Sequence, residues 1–382
     1  MAQRRDDIDW LRVFATYMLF PFHVSKIFDV APYYHLKNAQ LSPDLGVFTG
    51  FVHQWHMPLF FVLAGWSVPA SLAARGTGGF LRERVQRLFV PFLFGCVVIC
   101  PPIRWIEMNR WPDRPHASFP GFLPHFFGDL RYFTWSHLWF LIYLFVFSCL
   151  YVPLMGWLQR RAARFATVPG WAIYAAIVPF ALIQVTFRGR WPGMQNLYDD
   201  WGNFLYYSLF FLGGVLLGCS PTLEAAVHRE SRRLGGLGLL GFIVLAAASV
   251  DGNFPPPRLP ARYVIFWSAT AVAGVGLVTA CLGVAARRLR VTNGALRYLA
   301  ESALPVYILH QLAIVVLATW VIDLNASIVT KWSLLMLTAP ALTLAVYHFI
   351  VRPLAPLRFL LGMKPARHTP NAAATMPASL RA

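Results

Sequence analysis

The sequence predicts an all-α polytopic membrane protein of about ten transmembrane helices, with both termini in the cytoplasm. Three observations predict it. Of the 382 residues, 57% are hydrophobic and only 13% are charged, outside the range of ordinary soluble domains. Apolar runs long enough to cross a bilayer recur along the whole chain, and the mean hydropathy of +0.53 agrees. Lysine and arginine cluster after every second run, as topology control requires. The formal charge of +17 invites a nucleic-acid reading. The basic residues lie in short groups between apolar runs rather than on one domain face, so the lipid bilayer, not nucleic acid, is the expected partner.

In chain order, the spans are expected at about 10–28, 46–70, 85–106, 135–158, 170–187, 203–219, 234–250, 263–285, 298–320 and 332–352, by length and hydropathy. The fifth and seventh are the shortest. Residues 103–131 form a long proline- and aromatic-rich loop, suited to a re-entrant or interfacial piece. The basic groups on the cytoplasmic side begin with Arg4-Arg5 and continue through Arg82 and Arg84, Arg160-Arg161, Arg232-Arg233 and Arg287-Arg288 to the tail. Opposite loops, such as Trp191-Pro192-Gly193, are turn-rich and aromatic. One membrane domain is expected over residues 1–360, with a disordered cytoplasmic tail over 361–382. The first run does not resemble a cleavable signal, because Arg12 interrupts it and no small-residue cleavage site follows. Four of the five cysteines fall inside spans and none has CxxC spacing, so neither disulfides nor a zinc site is expected.

Ionisable residues inside spans are expensive and mark functional sites by default. The first span carries Arg12 near one end and His23 near the other. Eleven residues come to roughly 20° from three full turns, which puts both on one helical face about 16 Å apart. The second span holds His53 and His56 one turn apart. Two histidines alone are weak evidence for a metal, since a third ligand must come from elsewhere; hydrogen bonding inside the bundle is the favoured account, so no metal is expected. Arg84 and Arg87 open the third span at i and i+3. They suit either a polyanion such as a phosphate or snorkelling at a cytoplasmic helix end. His137 opens the fourth span at the depth where His23 emerges. Glu301, Tyr307 and His310 are polar groups in the apolar ninth span and are expected to face the bundle interior. There is no glycine-rich phosphate loop, GxSxG or HExxH motif. Chemistry must rest on histidine, arginine and a few hydroxyls.

These residues, in this order, resemble acyltransferase family 3, a group of membrane-bound O-acyltransferases. The likeness is carried by Asp9-Trp10-Leu11-Arg12 with His23, Met57-Pro58-Leu59-Phe60-Phe61 before Gly65, Arg84-x-x-Arg87, His137-Leu138-Trp139-Phe140-Leu141 and Tyr307-Ile308-Leu309-His310. It covers about residues 8–360. Within the family, the chain is most like the standalone members that succinylate periplasmic glucans, the glucans biosynthesis protein C type. The resemblance implies a ten-helix core in the bacterial inner membrane. It also implies an acyl-coenzyme A donor entering from the cytoplasm and a carbohydrate hydroxyl acceptor on the periplasmic side. The family's arginine–histidine signature maps onto Arg12 and His23, and its arginine pair onto Arg84 and Arg87. Ala64-Gly65 departs from the Ser-Gly often found there, so no nucleophile is assigned at that point.

Residues and resemblance together suggest a mechanism. Arg12, Arg84 and Arg87 hold the phosphates of the donor, acetyl- or succinyl-coenzyme A. His23, near neutrality, is the general base for the acceptor hydroxyl, or else the carrier of an acyl-histidine. His137 or His310 orients His23 or stabilises the oxyanion, and Glu301 joins them as a candidate. The rival reading is a secondary transporter in which the histidines and Glu301 form a proton relay. Against it, no repeat with paired broken helices is visible.

Overall fold

The computed structural model describes residues 5–110, 118–162, 167–249 and 254–365. The protein is all-helical in those segments, where no strand forms and a lone bridge pairs Asp29 with Ser42. Among the described residues, nine helices are long and apolar enough to cross a membrane. We number the helices α1 (Asp6–Tyr17), α2 (Leu19–Phe28), α3 (Pro43–Trp66), α4 (Val68–Arg110), α5 (Phe119–Gly128) and α6 (Ser136–Ala162). Then follow α7 (Gly170–Phe187), α8 (Trp201–Cys219), α9 (Pro221–Ala248), α10 (Pro260–Arg288), α11 (Gly294–Val321), α12 (Ile328–Val351) and α13 (Ala355–Leu360). The nine are α3, α4 and α6 to α12.

The tenth expected span is present in two pieces, α1 and α2, which are too short singly. Pro21 is the cause. It has no N–H to give, and its ring opposes the carbonyl of Tyr17, four residues back. The helix ladder is held on either side by Met18 N–H to Phe14 O (2.9 Å) and Phe22 N–H to Met18 O (3.1 Å). The Thr16 hydroxyl adds a bend by donating back to Arg12 O at 2.9 Å. Arg12 and His23 therefore sit on opposite sides of a hinge rather than on one straight helix.

Successive crossings alternate between two ends. At the end where α1 begins, Arg5 pairs with Glu224 at 2.7 Å and Trp10 donates to Val291 O at 2.9 Å. At the far end, Trp332 donates to Ser25 at 2.9 Å and Lys331 to Asn38 at 3.0 Å.

The third span is long because a bend continues it. Gly76 has φ 66° and ψ 175°, a conformation open in practice only to glycine. It turns the start of α4 away from the crossing part. Further along, π-helical segments Val85–Phe89 and Gly95–Ile99 flank Pro91, whose ring opposes the carbonyl of Arg87. Wide turns of this kind relieve a proline inside a helix. Within the loop expected to carry a re-entrant or interfacial piece lies α5, at ten residues too short to span. Residues 111–117 of that loop lie outside the described residues.

Close helix contacts fix the frame. A Cβ on Gly65 would sit 2.0 Å from Phe211 O, and one on Gly214 would sit 2.1 Å from Val62 O. The backbones of α3 and α8 thus touch, as small residues permit in membranes. Gly65 is accounted for by this contact. Beside it, Phe61, Tyr143, Phe147 and Phe211 are fully buried. Outward-facing apolar residues such as Leu337 (73% exposed) and Phe349 (75%) suit lipid contact. The expected tail begins packed rather than loose. Leu361 is 1% exposed, and Gly362 lies against the Arg87 carbonyl and Pro91. Residues 366–382 of that tail lie outside the described residues.

Candidate active site

Two polar groups face the inside of the bundle, one on each side of the α1–α2 hinge. The first is cationic. Arg12 from α1 and Arg84 and Arg87 from α4 lie within electrostatic range of one another. Their counter-charges are few. Asp9 holds Arg12 at 2.8 Å. Arg87 reaches Glu83 at 3.5 Å and donates to Gly362 O at 3.2 Å. Arg84 lies over the Phe80 ring at 4.6 Å and within electrostatic range of Glu83, and its buried Nε has no partner among the described residues. Three guanidiniums set against Asp9 and Glu83 suit a polyanion.

The second group is a set of histidines. The His23 ring lies 5.1 Å from that of His310, which lies 5.0 Å from that of His137. The three come from α2, α11 and the first turn of α6. Among the described residues, each carries one buried ring nitrogen with no partner: His23 Nδ1, His137 Nδ1 and His310 Nε2. Backbone carbonyls fix two of the tautomers. His137 Nε2 donates to Ile308 O at 3.0 Å, and His310 Nδ1 donates to Tyr307 O at 2.7 Å. A carbonyl only accepts, so the remaining nitrogen of each neutral ring is a lone pair. This narrows one expectation. Neither neutral ring has an N–H left for an oxyanion, and the remaining nitrogen of each is an acceptor. Tyr307 completes the wall by donating to His137 O.

The other residues singled out in the sequence fall elsewhere. His56 is buried and hydrogen-bonded to Ala15 O at 2.7 Å, pinning α3 to α1. His53 faces outward, so the two do not converge. Among the described residues, no group of three or more histidines, cysteines or acids is arranged to hold a metal ion. Glu301 is not brought to the histidines. It pairs with Arg358 at 3.0 Å and Arg352 at 3.8 Å. Nine residues of helix, about 13.5 Å, separate it from His310.

Sequence reasoning missed the groups supplied by residues 29–42. Tyr34 stacks on His23 with ring centroids 6.0 Å apart and accepts from Gln311 at 2.8 Å. His35 follows and contacts Glu107 of α4 and Ser136 of α6. The segment is held by buried Asp29, which binds Lys26 (3.0 Å), Lys37 (2.7 Å) and Thr49 (2.8 Å). A second tie closes the far end between α7 and α8. Asp200 accepts from Tyr143 (2.7 Å), Gln195 N–H (2.8 Å) and Asn203 (3.1 Å). Burial pushes its carboxyl up from the ordinary value, and these donors work against that shift.

The acyltransferase-domain profile of family 3 matches residues 5–350, which contain both polar groups. The chain belongs to acyltransferase family 3. It is similar to the glucans biosynthesis protein C of Escherichia coli K12, at 25% identity over 328 residues, covering 81% of this chain and 82% of the relative. The proteins of the same name from Escherichia coli O9:H4 strain HS and O1:K1 match at the same identity and coverage. No solved structure matches the chain. The protein is a multi-pass membrane acyltransferase, and its two polar groups lie within the family's own segment.

Proposed function

We propose that this acyltransferase moves an acetyl or succinyl group from cytoplasmic acyl-coenzyme A to a hydroxyl of an extracytoplasmic carbohydrate, a periplasmic glucan or another cell-surface glycan. In this reading the protein lies in the bacterial inner membrane with both termini in the cytoplasm. The observation that carries it is the pairing of under-compensated arginines with three adjoining histidines across one hinged helix pair. Arg12, Arg84 and Arg87 bind the phosphates through charge-assisted bonds. His23 takes the proton of the acceptor hydroxyl as its oxygen attacks the thioester carbonyl. The carbon–sulfur bond breaks, and the imidazolium returns the proton to the departing thiolate. His310, whose ring lies 5.1 Å from that of His23, positions that ring, and His137 walls the other side. The similarity to glucans biosynthesis protein C supports a glucan as acceptor. Glu301, tied to Arg358, serves in this reading as an anchor for the end of the chain rather than as an acid or base.

The test is coenzyme release. Purified protein is supplied with succinyl- or acetyl-coenzyme A and an oligosaccharide glucan, and free thiol is followed by a chromogenic disulfide. Thiol release that depends on the glucan is the expected result. Folded protein that releases no thiol with either donor and any glucan overturns the reading.

A further inference from the structure

At the far end, one layer out from His23, three side chains from three separate segments meet in a line. Glu107 Oε2 lies 2.9 Å from His35 Nδ1, and His35 Nε2 lies 3.3 Å from Ser136 Oγ. A carboxylate only accepts, so Nδ1 carries the proton. In the neutral ring Nε2 is then a lone pair within reach of the serine hydroxyl. Arg104 Nη1 donates to the other oxygen of Glu107. Nucleophile, base and orienting acid are thus in hydrogen-bond sequence, with the longer outer contact usual before substrate arrives.

Two further facts set this cluster apart from a structural ion pair. Ser136 has φ 46°, an uncommon conformation for a residue with a side chain and one that costs energy to hold. It is kept there by its own N–H donating to Thr134 Oγ1 at 2.9 Å. The cluster is also reachable, since the His35 and Glu107 side chains keep 18% and 16% of their exposure. It adjoins the histidine group, for Tyr34 bridges His35 (5.2 Å between rings) and His23 (6.0 Å).

We propose that Ser136, His35 and Glu107 form a second reaction centre, a serine nucleophile acting on acyl esters at the far end. Ser136 Oγ attacks the ester carbonyl while His35 Nε2 takes its proton. The ester carbon–oxygen bond breaks, and the leaving alcohol receives that proton. Water, or a second sugar hydroxyl, then attacks the acyl-serine. Its proton passes to His35 and on to Ser136 Oγ, restoring the hydroxyl. Glu107 stabilises the imidazolium in both halves. The choice of short acyl esters of carbohydrate rests on the function proposed above, since these are its products. Such a centre would trim acyl groups or move them between hydroxyls. The nucleophile itself does not depend on that reading.

The test uses the full-length protein in detergent, without coenzyme A, so it reads separately from donor-dependent transfer. A fluorophosphonate probe is added, the labelled peptide is mapped by mass spectrometry, and p-nitrophenyl acetate hydrolysis is measured in parallel. The expected result is a phosphonyl adduct on Ser136. Hydrolysis should fall at least 100-fold in Ser136→Ala and at least 10-fold in His35→Gln, with both variants melting like wild type. If Ser136→Ala fails to fold, the site of labelling in wild type decides alone. Folded wild type with no adduct on Ser136, or Ser136→Ala hydrolysing at the wild-type rate, overturns the proposal.

Discussion

Arg84 and Arg87 make the same contribution to a sequence pattern, but the structure separates them. Arg84 forms no ion pair among the described residues, and its Nε is buried and unpaired. Arg87 already shares its charge with Glu83 at 3.5 Å and donates to Gly362 O. Bonds to charged groups contribute about 1.5–3 kcal/mol each. Removing Arg84 should therefore cost about 2–3 kcal/mol of donor binding, roughly 30- to 150-fold in Kd at about 1.4 kcal/mol per tenfold. Removing Arg87 also removes the pairing it must give up, so its net cost should be nearer 1 kcal/mol, about fivefold. The assay is thermal stabilisation by acetyl- or succinyl-coenzyme A. At a donor concentration of about 100 Kd, wild type gains about 2.7 kcal/mol by mass action. After a 100-fold weakening, Arg84→Ala at the same concentration gains only about 0.4 kcal/mol. Glu83→Gln should tighten binding, because Glu83 is the acid that faces both Arg84 and Arg87. Folded Arg84→Ala that keeps the full stabilisation, or a larger loss from Arg87→Ala, would refute the reasoning.

Two further predictions concern the frame. Gly214→Ala places a methyl 2.1 Å from Val62 O, which forces α3 and α8 apart at a cost of about 1–3 kcal/mol. Gly213→Ala, with nothing within 4 Å, should be neutral or stabilising by up to about 1 kcal/mol, and equal melting temperatures for the two would contradict the packing. Pro21→Ala restores an N–H toward Tyr17 O and should straighten the α1–α2 hinge, leaving stability equal or higher. Acyl transfer should fall about 100-fold, because His23 shifts against its partners; a wild-type transfer rate would show that the hinge does not position the histidine.

Much of the architecture was legible because the bilayer imposes length and polarity on every crossing. The positions of Arg12 and His23 stood out for the same reason, since charge inside a span is costly. Pro21 was equally visible, four residues after Tyr17, yet reading the run as one straight helix hid the hinge. The meeting of His23, His137 and His310 depends on how three distant spans pack, which no local period encodes. The tautomers of His137 and His310 are set by the carbonyls of Ile308 and Tyr307, which leaves neither neutral ring an N–H for an oxyanion. Glu301 looked functional as a lone acid in an apolar helix. Its partner Arg358 lies 57 residues on, just before the expected tail. His35 had no signal at all, because it sits on a connecting segment without periodicity whose shape is fixed by buried Asp29.

The most direct test of the account is transfer by His23→Ala. The protein is reconstituted in vesicles with labelled acetyl- or succinyl-coenzyme A and a glucan, and label in the glucan is counted. Loss of a general base costs about 100- to 10,000-fold. Wild type should label the glucan and His23→Ala should not, while the coenzyme still raises the variant's melting temperature. Label transferred by His23→Ala at the wild-type rate would contradict it.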